Sequence, residues 1–147
     1  MDDIIYKYID YKSEEFKQVI DLRFNILFEQ YNKIERYNYD ELDCMSLHLV
    51  ALDKEKVVGY SRITNINGKG KITNVVVSPE FIHKGIGFEM MRRHIIKAKE
   101  NNINHLYLNA RLSTTNFYSK AGFQCKDKTF LSEKSGLLLQ KMYLKIS

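Results

Sequence analysis

The sequence has no tryptophan, a single proline, two cysteines and seven glycines among its 147 residues. Each scarcity removes a class of reading. So little proline and glycine leaves no room for a proline- or glycine-rich linker or a low-complexity tail. Cys44 and Cys125 lack metal-ligand spacing, so no metal site is expected, and both read as reduced, partly buried thiols. No apolar run approaches the length of a membrane span. The opening MDDIIYKYID is acidic and carries no apolar leader core, so the expectation is a cytoplasmic protein without a signal peptide or a membrane partner. No stretch repeats another.

What is present is ordinary globular material. Hydrophobic residues make up 44% and charged residues 28%. The length suits one domain, residues 1–147, large enough for a sizeable core. The net charge of +5 is unevenly spread: residues 1–66 carry 9 basic and 13 acidic side chains, residues 67–147 carry 14 and 5. A basic half can serve nucleic acid, a polyphosphate-bearing small ligand or nothing beyond a solvated surface. Scattered lysines, without an arginine-dense helix or zinc-finger spacing, disfavour the nucleic acid.

The chain is organised around SPEFIHKGIGFEMM, residues 78–91. The valine-rich run 71–77 before it reads as a buried strand, and Pro79 cannot continue that strand's hydrogen-bond ladder. Gly85 and Gly87 then open a helix over 85–100, with Phe88, Met91, Ile95 and Ala98 on one face. A strand, a basic glycine loop and a helix N-terminus together form a place where backbone N–H groups can hold a phosphate, although glycines also open helices for steric reasons alone. Neither the nucleotide P-loop nor the dinucleotide fingerprint fits the spacing.

Around this stretch the remaining elements fall in order. A strand is expected at 3–9. A helix follows over Glu14–Gln30, capped by Ser13, with Phe16, Val19, Ile20, Leu27 and Phe28 on its buried side. Strands at 47–52, 57–66 and 71–77 form an antiparallel meander, with Asn67–Gly68 as a hairpin turn. The helix of 85–100 leads to a strand at 105–110, a crossover that implies a parallel pair. A helix near 114–120 ends at Gly122, and 123–131 with 137–146 make a last hairpin turning near Glu133–Gly136. Between the first helix and the meander, 34–44 mixes Tyr37, Tyr39, Asp40, Glu41 and Asp43. That segment is either a polar surface piece or a lip that attracts a cation. Arg23 and Glu29 lie near an apolar helix face, and His48 lies in a strand, where a lone histidine usually serves structure.

Two motifs in this order resemble the GNAT family of acyl-coenzyme A-dependent N-acyltransferases, over nearly the whole chain. One is Ile82-His83-Lys84-Gly85-Ile86-Gly87, aligned with the family's pyrophosphate loop, with Ile82 where the family usually has glutamine or arginine. The other is Asn116-Phe117-Tyr118-Ser119-Lys120-Ala121-Gly122-Phe123, an aromatic–tyrosine pair shortly before Gly-Phe. In the N-terminal half, Leu22-Arg23, Phe28-Glu29-Gln30 and His48-Leu49-Val50-Ala51 resemble the ElaA-like branch. The tail departs from that branch, since Gly136-Leu137-Leu138-Leu139 stands without its Pro-His.

The resemblance implies a single-domain α/β fold with a mixed central sheet of about seven strands, splayed between 71–77 and 105–110, and helices on both faces. It implies acetyl-coenzyme A as co-substrate, with its pantetheine arm in the splay against Val75, Val76 and Val77. The loop of His83, Lys84, Gly85, Ile86, Gly87 and Phe88 would hold the pyrophosphate, with Asn109 and Arg111 lining the coenzyme. The reaction implied is direct attack of an amine on the thioester, with Tyr118 as general acid: a phenol of pKa about 10 stays protonated at neutral pH. Strand 71–77 has no carboxylate, so Glu29, His48 or a water relayed from either is left as base. Arg23, Tyr37, Tyr39 and Asp40 are the acceptor-side expectation, which favours a small cationic amine or a peptide amine. A catalytically silent coenzyme A-binding module would share the fold, and a homodimer stays open.

Overall fold

Alternation along the second strand of the meander sets the layers. Leu49 and Ala51 pack into one apolar cluster, whereas their neighbours Val50 and Leu52 pack into another. Successive side chains of a strand point to opposite faces, so this sheet is buried on both. The computed structural model describes residues 3–31, 42–133 and 135–146, with side chains at all of these except 26–31. Its elements are β1 (Ile4–Ile9), α1 (Glu15–Tyr31), β2 (Ser46–Asp53), β3 (Lys56–Ile66), β4 (Lys69–Val77), α2 (Ile86–Glu100), β5 (His105–Arg111), α3 (Thr115–Lys120), β6 (Gln124–Cys125), β7 (Phe130–Leu131) and β8 (Leu138–Lys145).

The strands form one mixed sheet in the order β1-β2-β3-β4-β5-β8-β6, with β7 also on β8. Phe16 and Val19 of α1 close one face over Val50, Leu52, Val57, Tyr60 and Val76. On the other face α2 and α3 bring Met90, Met91, Ala98 and Tyr118 against Leu49, Ile63, Leu106 and Met142. The architecture is therefore the single-domain α/β arrangement with helices on both faces that the motifs imply.

Local chemistry explains where elements start and stop. Asn67 and Gly68 have φ of 54° and 84°, the left-handed pair that a two-residue hairpin turn needs between β3 and β4. After α3 the chain closes with Phe123 N–H on Tyr118 O and Gly122 N–H on Ser119 O, at 3.0 Å each, a Schellman motif with Gly122 at φ 107°. Ser13 acts differently from its expected role. Its carbonyl accepts the Phe16 N–H, while its buried Oγ has no hydrogen-bond partner.

Three further expectations are revised. Phe88 is exposed, because the buried face of α2 runs through Ile86, Met90, Met91, His94 and Ala98, with a histidine at its centre. The last hairpin is broken: β8 pairs with two separate two-residue strands. Asp127 turns left-handed between them, and the Gln140 side-chain amide donates to the carbonyls of Lys126 and Asp127 that leave the ladder. Both cysteine thiols are exposed, Cys44 beside an inward-pointing Asp43 and Cys125 in the exposed stretch 124–131.

His94 is completely enclosed, with Nε2 2.6 Å from Ser61 Oγ and Nδ1 2.9 Å from Tyr8 Oη. Burial pushes its pKa from 6.5 down to about 3, so it is neutral in the fold. His48 is shifted downward for the same leading reason, burial. Below pH 6.5 the unfolded chain takes up protons that these folded imidazoles refuse. Their contribution to stability is thus complete above pH 6.5 and is lost as pH falls, at about 1.4 kcal/mol per pH unit for each proton. Urea unfolding of His94→Gln should show a lower midpoint at pH 7 but a shallower decline than wild type between pH 6.5 and 5. Equal slopes would mean that His94 titrates normally in the fold.

Candidate active site

β4 is built to be open on one side. Toward β3 it is paired from Lys69 to Val77, but toward β5 only Lys69, Gly70 and Lys71 find partners, opposite His105, Leu106 and Tyr107. Past that point no strand among the described residues lies beside the β5-facing backbone of β4. A bulge begins the open stretch. Arg62 lies opposite Thr73 and Tyr60 opposite Val76, so the single residue Ser61 faces both Asn74 and Val75. Asn74 adopts φ 58° there. An extra residue bends and twists its strand, which carries β4 away from β5. Val75 and Val77 pack toward the α2 face and Val76 toward the α1 face. An open strand edge of this length accepts an extended ligand through backbone hydrogen bonds.

At the outer end of this edge the chain turns through Pro79–Phe81 and reaches α2 by way of His83 at φ 69° and Gly85 at φ 82°. The first helical bond of α2 runs from Glu89 N–H to Gly85 O, so the amides of Ile86, Gly87 and Phe88 point out of the helix end without an i−4 acceptor. The space beside Gly85 is open. A Cβ on Gly87 would stand 3.0 Å from the Phe117 ring, so this glycine lets α2 and α3 meet. Ile86 is buried, which leaves only its backbone to face a ligand, whereas Phe88 is exposed. Lys84 Nζ lies 5.0 Å from the centre of the Phe81 ring. Glu89 in the first turn would oppose an anion, but it is tied to Arg92 at 2.7 Å and Arg93 at 2.8 Å. Those bonds, Arg92's foremost, hold its carboxyl at about 2. The pair of arginines therefore cancels the one negative charge at a helix end that otherwise favours phosphate.

Tyr118 sits on α3 with its ring edge-to-face against Phe117 (4.9 Å) and Phe123 (6.1 Å). No hydrogen bond to its hydroxyl comes from the described residues, and the hydroxyl is not among the polar atoms sealed from solvent. Burial raises its pKa from 10 to about 12, a shift that the charge of Arg111 partly opposes. Arg111 ends β5, and Asn109, exposed on the same strand, lies opposite Lys141. The β4 edge and the α2 terminus flank the splay; Tyr118 belongs to the apolar cluster against which Val75 and Val77 pack, and Arg111 ends the strand across the gap. An extended arm fits the open edge and a pyrophosphate fits the outward amides, so the residues present suit coenzyme A.

The other expected residues are elsewhere or outside the described set. Tyr37, Tyr39 and Asp40 fall outside the described residues, and Glu29 lies on α1 with its side chain outside them. Arg23 and His48 belong to a buried cluster on the α1 face of the sheet. Arg23 Nη1 and Nη2 donate to Asp43 Oδ1 and Oδ2 at 3.1 and 3.0 Å, and Arg62 Nη1 donates to Oδ1 at 2.9 Å. His48 Nε2 donates to the Asp43 carbonyl at 2.8 Å, so its Nδ1 accepts from Tyr60 Oη at 2.6 Å. Both imidazole nitrogens are engaged. Asp43, expected on an acidic lip, is instead fully buried. The cluster reaches the bulge, since Arg62 Nε donates to Thr73 Oγ1 at 3.0 Å. Sequence reading did not single out Arg62, Tyr60, Thr73 or Asn74. An arginine inside the apolar run VVGYSRITNI is the signal for the first, because a charge in a buried strand needs a partner.

Among the described residues no group of histidine, cysteine, aspartate or glutamate side chains could hold a metal ion, and no helix is long and apolar enough to cross a membrane. An open β4 edge, an anion-ready helix end and a largely buried phenol suit an acyl-coenzyme A-dependent transferase. The sequence model of the Acetyltransferase (GNAT) family matches residues 13–123, and the chain belongs to that family. A relative from Bacillus subtilis (strain 168), "Uncharacterized N-acetyltransferase YjcF", is 29% identical over 119 residues, covering 80% of this chain and 85% of that protein. Escherichia coli ElaA superposes with a TM-score of 0.82 at 18% identity over 96% of this chain and 99% of its own. An aminoglycoside 6'-N-acetyltransferase complexed with coenzyme A gives 0.81 at 15% identity, over 97% of each chain. The protein is an acetyl-coenzyme A-dependent GNAT acetyltransferase.

Proposed function

We propose that the protein transfers the acetyl group to a primary amine by direct attack, with Tyr118 as the proton donor to the departing thiolate. The observation that carries this reading is the Tyr118 hydroxyl, held protonated by burial beside the splay with no internal hydrogen bond to compete. Val75, Val76 and Val77 pair with the pantetheine arm, and a β4 N–H near Val76 steadies the carbonyl oxygen. The amides of residues 85–88 take the pyrophosphate, with Lys84 and His83 beside it and Asn109 and Arg111 along the coenzyme. Glu29, directly or through water, is the base in this reading, since His48 has neither nitrogen to spare. Arg23 acts on the acceptor side only indirectly, by holding Asp43.

The acceptor is a small cationic amine or a peptide amine, drawn by Tyr37, Tyr39, Asp40 and Glu41. Nothing in the comparisons singles out the ElaA-like branch, because ElaA and the aminoglycoside enzyme are equally similar in fold. The branch reading rests on Arg23, Glu29 and His48 in their quoted phrases. The reaction is placed in the cytoplasm, where exposed thiols such as Cys125 stay reduced.

Two measurements test this. Calorimetry should give micromolar-scale binding of acetyl-coenzyme A, and silence at roughly 1 mM ligand would remove the catalytic account. An amine panel read by release of coenzyme A thiol should rank cationic acceptors first, with KM raised several-fold in the Asp40→Asn, Glu41→Gln variant. Asp43 is spared in that variant because it is buried. Anionic acceptors at the head of the ranking, or an unchanged KM, would overturn the acceptor class and leave the coenzyme side standing.

A further inference from the structure

Lysines that are scattered along the sequence converge on one face of the sheet. In β5, Leu106, Leu108 and Ala110 enter the apolar cluster beneath α2 and α3, and in β8 Met142 does the same. The alternate residues therefore point to the other face, among them His105 and Tyr107 from β5 and Lys141, Tyr143 and Lys145 from β8. Register sets them side by side. Tyr107 stands opposite Tyr143, His105 opposite Lys145, and Lys69 of β4 lies beside His105. The helix on this side, α1, packs over β3 and β4, and no residue of β5 or β8 joins its apolar cluster. All six of these side chains are exposed or half-buried. Lys141 Nζ lies 5.2 Å from the centre of the Tyr107 ring, and Lys126 Nζ lies 5.8 Å from that of Tyr143. Neither β5 nor β8 contains a carboxylate.

Position and chemistry together narrow what fits this face. It lies outside the coenzyme site, because His105 and Tyr107 are on the part of β5 that pairs with β4, short of the open edge. A second copy of the chain would set basic side chains against basic side chains. An acidic polypeptide would use the lysines and leave the rings idle. Single-stranded nucleic acid uses both, since its phosphates pair with ammonium groups and its bases stack on aromatic faces. Directly opposed residues of antiparallel strands stand about 5 Å apart, so Tyr107 and Tyr143 present adjacent rings to successive bases. We infer that the face built by Tyr107, Lys141, Tyr143 and Lys145 docks single-stranded nucleic acid. The flexible lysine stems let each ammonium leave its ring for a phosphate as a base takes its place. A duplex, whose bases are already stacked on one another, finds only the charges. This binding is separate from acyl transfer and does not depend on it.

The test is fluorescence anisotropy with a labelled RNA strand of about 20 nucleotides, repeated over a range of salt concentrations. The wild-type protein should bind the strand with micromolar-scale affinity at low salt, and several-fold tighter than a duplex of the same length. Tyr107→Leu combined with Tyr143→Leu should weaken strand binding about 10-fold and leave the salt slope unchanged, because stacking releases no counterions. Lys141→Gln combined with Lys145→Gln should instead lower the magnitude of the slope of log K against log salt by about 1.4. Melting temperature and coenzyme A affinity report whether each variant is folded. The lysine pair lies at the surface and keeps the test open should the tyrosine pair unfold. No binding at low salt, or an unchanged slope in the lysine variant, would overturn the inference. So would duplex binding as tight as that of the strand, or a folded tyrosine variant that binds like wild type, since either leaves a charged surface without a platform. Tighter binding of poly-glutamate than of the strand would assign the face to an acidic polypeptide and overturn the inference as well.

Discussion

Tyr118→Phe should lower kcat on the order of 10–100-fold while leaving coenzyme A affinity nearly unchanged. The substitution removes one oxygen and keeps the ring, and the ring is what the structure uses for packing. Its edge-to-face contacts with Phe117 and Phe123 survive in phenylalanine. Little stability should be lost, because the hydroxyl makes no hydrogen bond within the described residues. The proton is another matter. A thiolate leaving group needs one as the C–S bond breaks, and the largely buried phenol, at about 12, carries it throughout the physiological range. Water reaching the splay can substitute in part, which keeps the expected loss below the upper range for general acids. The pH profile offers a second check: raising this pKa delays deprotonation, so no alkaline loss of kcat below pH 10 should trace to Tyr118. Wild-type turnover by the phenylalanine variant, with a competent acceptor, would make Tyr118 a core aromatic and nothing more.

What the sequence showed of this site follows from which interactions are local. The β4–α2 corner was legible because proline, two glycines and an apolar run act within a few residues of themselves. Strand and helix limits at β1 to β5 fall within about two residues of expectation for the same reason. The buried cluster was not legible. Asp43 sits in a run of tyrosines and carboxylates that reads as surface, and only the folding of α1 and β3 against it brings Arg23 and Arg62 to one carboxylate. His94 was hidden likewise, since a histidine directly after two arginines on α2 reads as part of a solvated face. Its partners Ser61 and Tyr8 come from distant strands. The bulge at Asn74 depends on a register between β3 and β4 that no local pattern announces. Gly87 was expected to make room for phosphate, and the contact its Cβ would meet is Phe117, 30 positions along the chain.

Asp43→Ala should destabilise the fold by roughly 3–5 kcal/mol and should lower the melting temperature by about 10 °C. Asp43 is fully buried and, among the bonds between described residues, accepts from both the Arg23 and the Arg62 guanidinium, while its own carbonyl holds His48 in place. Removing the carboxylate deprives Arg23 and Arg62 of the anion they share, in a region closed to water. Taking a shared anion away from buried guanidinium groups costs more than the intact ion pairs contribute net, which is why truncation is harsher than the pairs' net value suggests. Arg23→Met should therefore cost less than Asp43→Ala. Methionine keeps much of the packing against Phe16 and Tyr60, whose ring centres lie 5.3 and 5.6 Å from the guanidinium, and Asp43 remains paired with Arg62. The effect should also reach the active site, because Arg62 holds Thr73 next to the bulge. At a temperature where Asp43→Ala is still folded, its kcat should fall along with its stability. Urea midpoints for the two variants decide the matter. If Asp43→Ala unfolds where wild type does, or Arg23→Met proves the more damaging, the shared carboxylate is not what holds α1, β3 and the floor of the splay together.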